Sequence, residues 1–340
     1  MAQYLRRFLK RNFRPAAIVW VCIACLCGSG AALALTRAEM YQATAPVTDR
    51  SEAAQTAAFQ NAMKTVLIRV TGRRNADEDP ALSPLLSNAR RYVQQYRSAP
   101  DNQLLVTFDG AAIERWLTQN SQPLWGHERP TTLVLLGVQT AQGGSVITTD
   151  DNSELKASID GAAAARGLPL VWPSAAELQK FHVDFAAVNS GSSSFTDIAR
   201  RMGSDGILVG RASGATANAN VRWTHQFQDR SSEYSGTLEG VNRAADMYAG
   251  LFAASGALVP VNIEVSGIND LRDFAGVESY LESLTFISHV SVESLSGDTV
   301  RFRLSTRGGV DSLQRALSLN GRLTPAAAGE NGIQRFQLRR

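Results

Sequence analysis

Cysteine is nearly missing from this chain. It has three in 340 residues, Cys22, Cys25 and Cys27, all inside the stretch VCIACLCG. Histidine is almost as scarce: His127, His182, His225 and His289 lie far apart, with no HxxxH or HExxH spacing. That excludes a local zinc motif. No GxSxG is present, so the strained serine elbow is absent, and neither GxxxxGK[ST] nor a post-strand GxGxxG offers a phosphate loop.

The cysteines sit in a telling place. Upstream are Arg6, Arg7, Lys10, Arg11 and Arg14 with no acid; Ala16 to Leu35 then carry no charge, with Ala32 and Ala34 flanking Leu33. A basic start, an apolar middle and an A-x-A exit predict a secretory signal peptide over residues 1–34. The rival is an uncleaved anchor. The run of 20 residues can span a bilayer core of about 30 Å, and the Arg/Lys cluster would keep its start in the cytoplasm. Either way the thiols end in lipid or in a discarded peptide, where ionising them to thiolates is prohibitive. Neither Cys25 nor Cys27 follows the leucine-led box of a lipid anchor, and Arg6-Arg7-Phe8-Leu9-Lys10 lacks the spacer of a twin-arginine signal. The general unfolded-chain route is expected, with the body exported to the periplasm. A mature chain without thiols excludes cysteine proteases, thiol oxidoreductases and thiolate metal sites. No metal and no cofactor are expected.

The formal charge of +3 belongs to the leader: without it 29 basic residues face 31 acidic ones. The body has no global reason to bind nucleic acid or anionic lipid. Membrane contact is expected only through residues 16–35, if they stay attached. The remaining 306 residues predict two or three domains.

The first segment, about 39–129, reads as mixed α/β. MYQATAPV is a short strand. Residues 50–69 place Ala54, Ala57, Ala58, Met63, Val66 and Leu67 at helical spacing, between a Ser51 cap and a Gly72 stop. RRNADEDPALSPLLSN is a polar loop and short helix. ARRYVQQYRS and NQLLVTFDG are strands, and Asp109 caps GAAIERWLTQN with Ile113, Trp116 and Leu117 inward. The order YQATAPV, AFQNAMKTVLIRVTG, ARRYVQQYR, LLVTFDGAAIERWL and PLWGHERPTTLVLLGV resembles the bacterial exported domain-of-unknown-function family two-zero-six-six, over roughly residues 40–260. That resemblance implies an exported envelope protein and supplies no catalytic residues.

The second segment, 130–258, alternates apolar strands (TTLVLLGVQ, LPLVWP, DGILVGRASG) with helices (ELKASIDGAAAARG, SFTDIARRMG). This predicts an α/β sheet with parallel pairs. NVRWTHQFQ and EYSGTLEGV form a hairpin, and VNRAADMYAGLFAAS closes the unit as a helix. Its ARRMGSDGILVGRAS run, Trp-bearing hairpin and closing helix also resemble small envelope α/β domains of assembly and outer-membrane adaptor proteins. The third segment, 259–340, reads βαββαβ, a ferredoxin-like domain, with its hairpin turning at Ser296-Gly297-Asp298.

Candidate sites each have a plain structural reading beside the functional one. Asp77-Glu78-Asp79 and Asp150-Asp151 could hold calcium or do acid/base work, but both sit in polar loops where carboxylates meet water. Ser153-Glu154-Leu155-Lys156 matches SxxK without SDN or KTG, so Ser153 is expected to cap a helix. Gly210-Arg211-Ala212-Ser213-Gly214 could hold an anion through Arg211; the plain reading is a turn. Arg301 and Arg303 share a strand face that is solvated or meets an acidic partner. The stretch Pro123 to Pro130, PLWGHERP, concentrates Trp125, His127 and Arg129 at a domain junction. It is either a rigid linker with Trp125 as a staple or a binding cleft. Two functions follow. One is a non-enzymatic envelope protein that binds another protein or positions a complex. The other is a small-molecule binder or hydrolase using Trp125, His127 and Arg129.

Overall fold

The computed structural model describes residues 37–191, 195–320, 322–327 and 333–339, and the expected leader lies outside them. Among the described residues the chain is a mixed α/β protein with three sheets and eleven α-helices, and no helix is long and apolar enough to cross a membrane.

After one turn of helix (α1, Arg37–Met40), β1 (Gln42–Pro46) leads to α2 (Glu52–Thr71). Ser51 caps α2, accepting the Ala54 N–H at 3.1 Å, and Gly72 ends it with φ 72°. A short α3 (Ser83–Ser87) precedes β2 (Val93–Ala99), β3 (Gln103–Phe108) and α4 (Gly110–Gln119). The sheet order is β1-β3-β2, all antiparallel. Its apolar side packs under Phe59, Met63 and Leu67 of α2. The expected strand over ARRYVQQYRS is shorter than predicted. Ala89–Tyr92 form a 3-10 turn, because β3 offers ladder partners only to Val93–Ala99. In α4, Ile113 and Leu117 are buried, while Trp116 is only partly covered.

The second sheet runs β5-β4-β7-β8-β9, with β6 also beside β4. Its strands are β4 (Thr132–Thr140), β5 (Gly143–Val146), β6 (Leu170–Val171), β7 (Gly206–Ser213), β8 (Val221–Phe227) and β9 (Arg230–Ser235). The pairs β4–β7 and β4–β6 are parallel, as the alternation of elements predicts. Alternate residues of β4 enter two different cores. Val134, Leu136 and Val138 pack with α5 (Glu154–Arg166) and α9 (Glu239–Phe252). Leu133 and Leu135 pack on the other face with α7 (Phe185–Ser190) and α8 (Thr196–Arg201).

Three readings need correction here. Gly210–Ser213 belong to the strand read over DGILVGRASG and not to the turn that was the plain reading of Gly210–Gly214, because β4 runs alongside as far as the Gln139–Ser213 pair. The returning hairpin strand is residues 230–235, not the stretch beginning at Glu233; Gln228, with φ 52°, makes a tight turn that pairs Phe227 with Arg230. LPLVWP contributes only a two-residue strand. Strand β5, the short α6 (Ala175–Lys180) and α7 escaped the sequence reading. The α6 signal was present: Ser174 and Glu177 form a capping box.

The third sheet has order β11-β12-β10-β14-β13, built from β10 (Leu258–Ser266), β11 (Ile287–Ser296), β12 (Thr299–Arg307), β13 (Leu323–Pro325) and β14 (Gln334–Leu338). Helices α10 (Leu271–Ser283) and α11 (Gly309–Asn320) sit in one core with Ile263, Val265, Phe302, Leu304 and Phe336. They therefore cover a single face. Strand alternation sends Asn262, Glu264, Arg301, Arg303 and Arg335 to the other.

Candidate functional site at the module junction

The stretch Pro123–Pro130 is a strap that bonds to all three sheet modules. Leu124 exchanges two backbone hydrogen bonds with Ala254, at 2.9 and 3.0 Å. The Trp125 N–H donates to the Val70 carbonyl at the end of α2, at 2.7 Å. Glu128 accepts the Thr285 N–H at 2.9 Å, and His127 Nδ1 lies 3.0 Å from the Thr285 hydroxyl. Gly126 has to be glycine here, since a Cβ would sit 2.3 Å from Thr285 Oγ1.

Arg129 is the hub. It is 8 % exposed, and its guanidinium donates five hydrogen bonds, all to carbonyls. Two acceptors are in the strap, Gly126 and Trp125; one is Arg69 in the last turn of α2; two are Arg166 and Gly167 at the end of α5. Its Cζ lies 3.9 Å above the Trp125 ring, a cation–π geometry.

The reason lies in the helices. The last carbonyls of any α-helix lack intrahelical donors and carry the negative end of the dipole. Here the C-termini of α2 and α5 meet and trade arginines. Arg69 of α2 donates to Ala164 of α5 at 3.0 Å, and Arg166 of α5 donates to Gly72 after α2 at 2.8 Å. Arg69 also ties down the chain start through the carbonyls of Glu39, Met40 and Gln42. Arg166 reaches Asp246 at 2.6 Å. Burial lowers Arg69 to about 10, against the raising influence of Glu39. Burial and then the neighbouring Arg69 lower Arg129 to about 9. Both remain cations at neutral pH.

Of the four residues singled out from sequence, three come together in the strap. Trp125 is fully buried beneath β4, and Arg129 is occupied by carbonyls, so neither offers surface to a ligand. His127 stays partly exposed beside Glu128 and Thr285. Arg211 lies elsewhere, on the α7 face of the second sheet, whereas Trp125 belongs to the core under the opposite face. Sequence reasoning missed Arg69 and Arg166. The signal was a basic residue in the last turn before a glycine, at Gly72 and at Gly167.

The remaining singled-out groups have local roles. Ser153 caps α5, accepting the Lys156 N–H. His225 faces the core with Trp223 and Phe227, its Nε2 2.9 Å from the Tyr248 hydroxyl, which in turn lies 3.1 Å from Thr132 Oγ1. Burial lowers His225 to about 4 and raises the Tyr248 phenol. Arg301 and Arg335 both pair with Glu264, and Arg303 pairs with Glu293.

A protein-family model described as a domain of unknown function (DUF8605) matches residues 34–126, which covers the first module and ends inside the strap. No curated protein and no solved structure matches the chain.

Proposed function

We propose that this is an exported cell-envelope protein that works without catalysis, holding another protein through the uncovered face of a ferredoxin-like C-terminal domain. The observation that carries the reading is that face. Both helices of the third module lie on one side of its sheet, and the other side presents Asn262, Glu264, Arg301, Arg303 and Arg335 in alternation. Such a polar sheet face, its three arginines held in ion pairs by Glu264 and Glu293, suits a protein partner that exchanges polar contacts with those pairs. The antiparallel order β11-β12-β10 supports the first half of the ferredoxin-like assignment; the second half departs from it, because β14 runs parallel to β10 and the unpredicted β13 is added at its edge. The basic, apolar leader with its A-x-A exit supports secretion. The rival use of Trp125, His127 and Arg129 as a ligand cleft is weaker, because two of the three are consumed by the protein's own backbone.

A photo-crosslinking side chain placed at Arg303 in intact cells tests this. The expected result is a discrete adduct with one envelope protein, absent when the probe sits at Arg243 on α9. No adduct from Arg303, or the same adducts from both positions, would overturn it.

A further inference from the structure

Arg211 of β7 and Arg222 of β8 are directly opposed in an antiparallel ladder, so their side chains share one face. Like charges placed opposite each other on a sheet destabilise it. The protein resolves this elsewhere: Arg301 and Arg335 share Glu264, Arg303 has Glu293, and Arg74 has Glu239 and Asp246. Arg211 and Arg222 have no such carboxylate among the described residues. Arg211 makes one long bond, to Thr224 Oγ1 at 3.4 Å, and its Nε is buried without a partner. Its Nη1 lies against the backbone of Gly191, where a Cβ would come within 2.4 Å. In register, Glu233 stands opposite Thr224, the next pair on the same face, yet among the described residues it forms no ion pair with either arginine.

Both arginines line one half-open cleft of about 450 Å³, together with Gln139, Asn189, Ser213 and Asn220. The size is in the range of small-ligand sites. The lining divides into two chemistries. Two guanidiniums offer paired donors to an oxyanion. Three amides and a hydroxyl both donate and accept, as a polyhydroxylated molecule requires. We infer that this cleft binds a small, hydroxyl-rich oxyanion, a sugar acid or a sugar phosphate, with Arg211 and Arg222 on the anionic group. The bound anion then supplies the negative charge that the ladder lacks. This site is separate from the proposed docking face, which lies on the third module.

Calorimetric titration of the full chain tests the inference with glucuronate, glucose 6-phosphate, inorganic phosphate and neutral glucose. Saturable binding is expected for glucuronate or glucose 6-phosphate, which also tells carboxylate from phosphate, and none for glucose. Arg222 is exposed, so R222Q should fold, and it should weaken binding about tenfold or more while R222K weakens it less. Thermal unfolding supplies a second readout. Ligand-free R222Q should melt no lower than wild type, because repulsion is relieved, and its Tm should not respond to the sugar anion. The inference is overturned if neither sugar anion binds below about 10 mM. It is equally overturned if R222Q binds like wild type or melts lower when ligand-free, or if inorganic phosphate binds as tightly as glucose 6-phosphate.

Discussion

Replacing Arg129 by Met tests whether the strap sets the assembly of the three modules. Methionine keeps the length and the apolar contact with Trp125 but removes every donor. Five carbonyls lose a charged partner, in the strap and at the ends of α2 and α5. At about 1.5–3 kcal/mol per charge-assisted bond, the gross loss is on the order of 10 kcal/mol. Removing a buried cation returns several kcal/mol of desolvation, so the net destabilisation expected is about 3–5 kcal/mol. Lysine at the same site retains the charge but brings three donors on a point, without the planar fork, and should cost about half as much. His127→Ala, on the partly exposed flank of the strap, should cost less than about 1 kcal/mol. The assay is urea denaturation followed by tryptophan fluorescence and far-ultraviolet circular dichroism. R129M should lower the midpoint and make the two probes part company, as the first and second modules uncouple. A midpoint within about 1 kcal/mol of wild type, with the probes still coincident, would refute the reasoning.

Three further outcomes follow from the same packing. Trp125→Phe should cost only about 1–2 kcal/mol, because the indole N–H has no acceptor among the described residues, whereas Trp125→Ala should cost about 3–5, both read from denaturation midpoints. Gly72→Ala forces a side chain into φ 72° and to 2.2 Å from the Ala249 Cβ, so it should destabilise by about 2–4 kcal/mol; Gly161→Ala, in open space on α5, should stabilise by about 0.5–1. His225, with an ordinary value of 6.5 lowered to about 4, binds a proton in the unfolded chain before it does so in the fold. Stability should therefore fall by up to about 3 kcal/mol as pH drops from 6.5 to 4, a slope reduced in His225→Gln. Asp205 is raised by burial and acts in the opposite sense, but it is common to both proteins and cancels in the comparison.

Legibility in the sequence tracked the range of the interaction. Caps and stops depend on neighbours in the chain, and Ser51, Asp109, Ser153 and Gly72 all do what their local pattern implies. Strands with strict alternation, such as residues 299–307, declare which face is buried. Strand ends were misplaced where the partner strand decides. Tyr92 lies beyond the ladder that β3 offers, and Arg211 stays in a strand because β4 runs beside it. His225 could be assigned to the side of Trp223 and Phe227, but only the α9 tyrosine shows that this side is core. The PLWGHERP cluster was conspicuous, yet its role was undecidable in sequence, because the five acceptors of Arg129 are backbone atoms and leave no side-chain signature.

A buried arginine usually prompts a search for a carboxylate or an anionic ligand. Here the required negative charge comes from the ends of two helices, each contributing about half an elementary charge of carbonyl dipole. Two such ends facing one another would repel, and would leave unsatisfied carbonyls on both sides. Arg69 and Arg166 cross between them and Arg129 lies in the middle, so three cations are stabilised by the same feature that makes the helix contact costly without them. Arg211 and Arg222 differ for the same physical reason. They lie within paired strands, where the ladder takes up the backbone carbonyls; only Arg211 comes near a helix end, at Gly191 after the short α7, and no carboxylate among the described residues meets either charge, so it is left to be met from outside the chain.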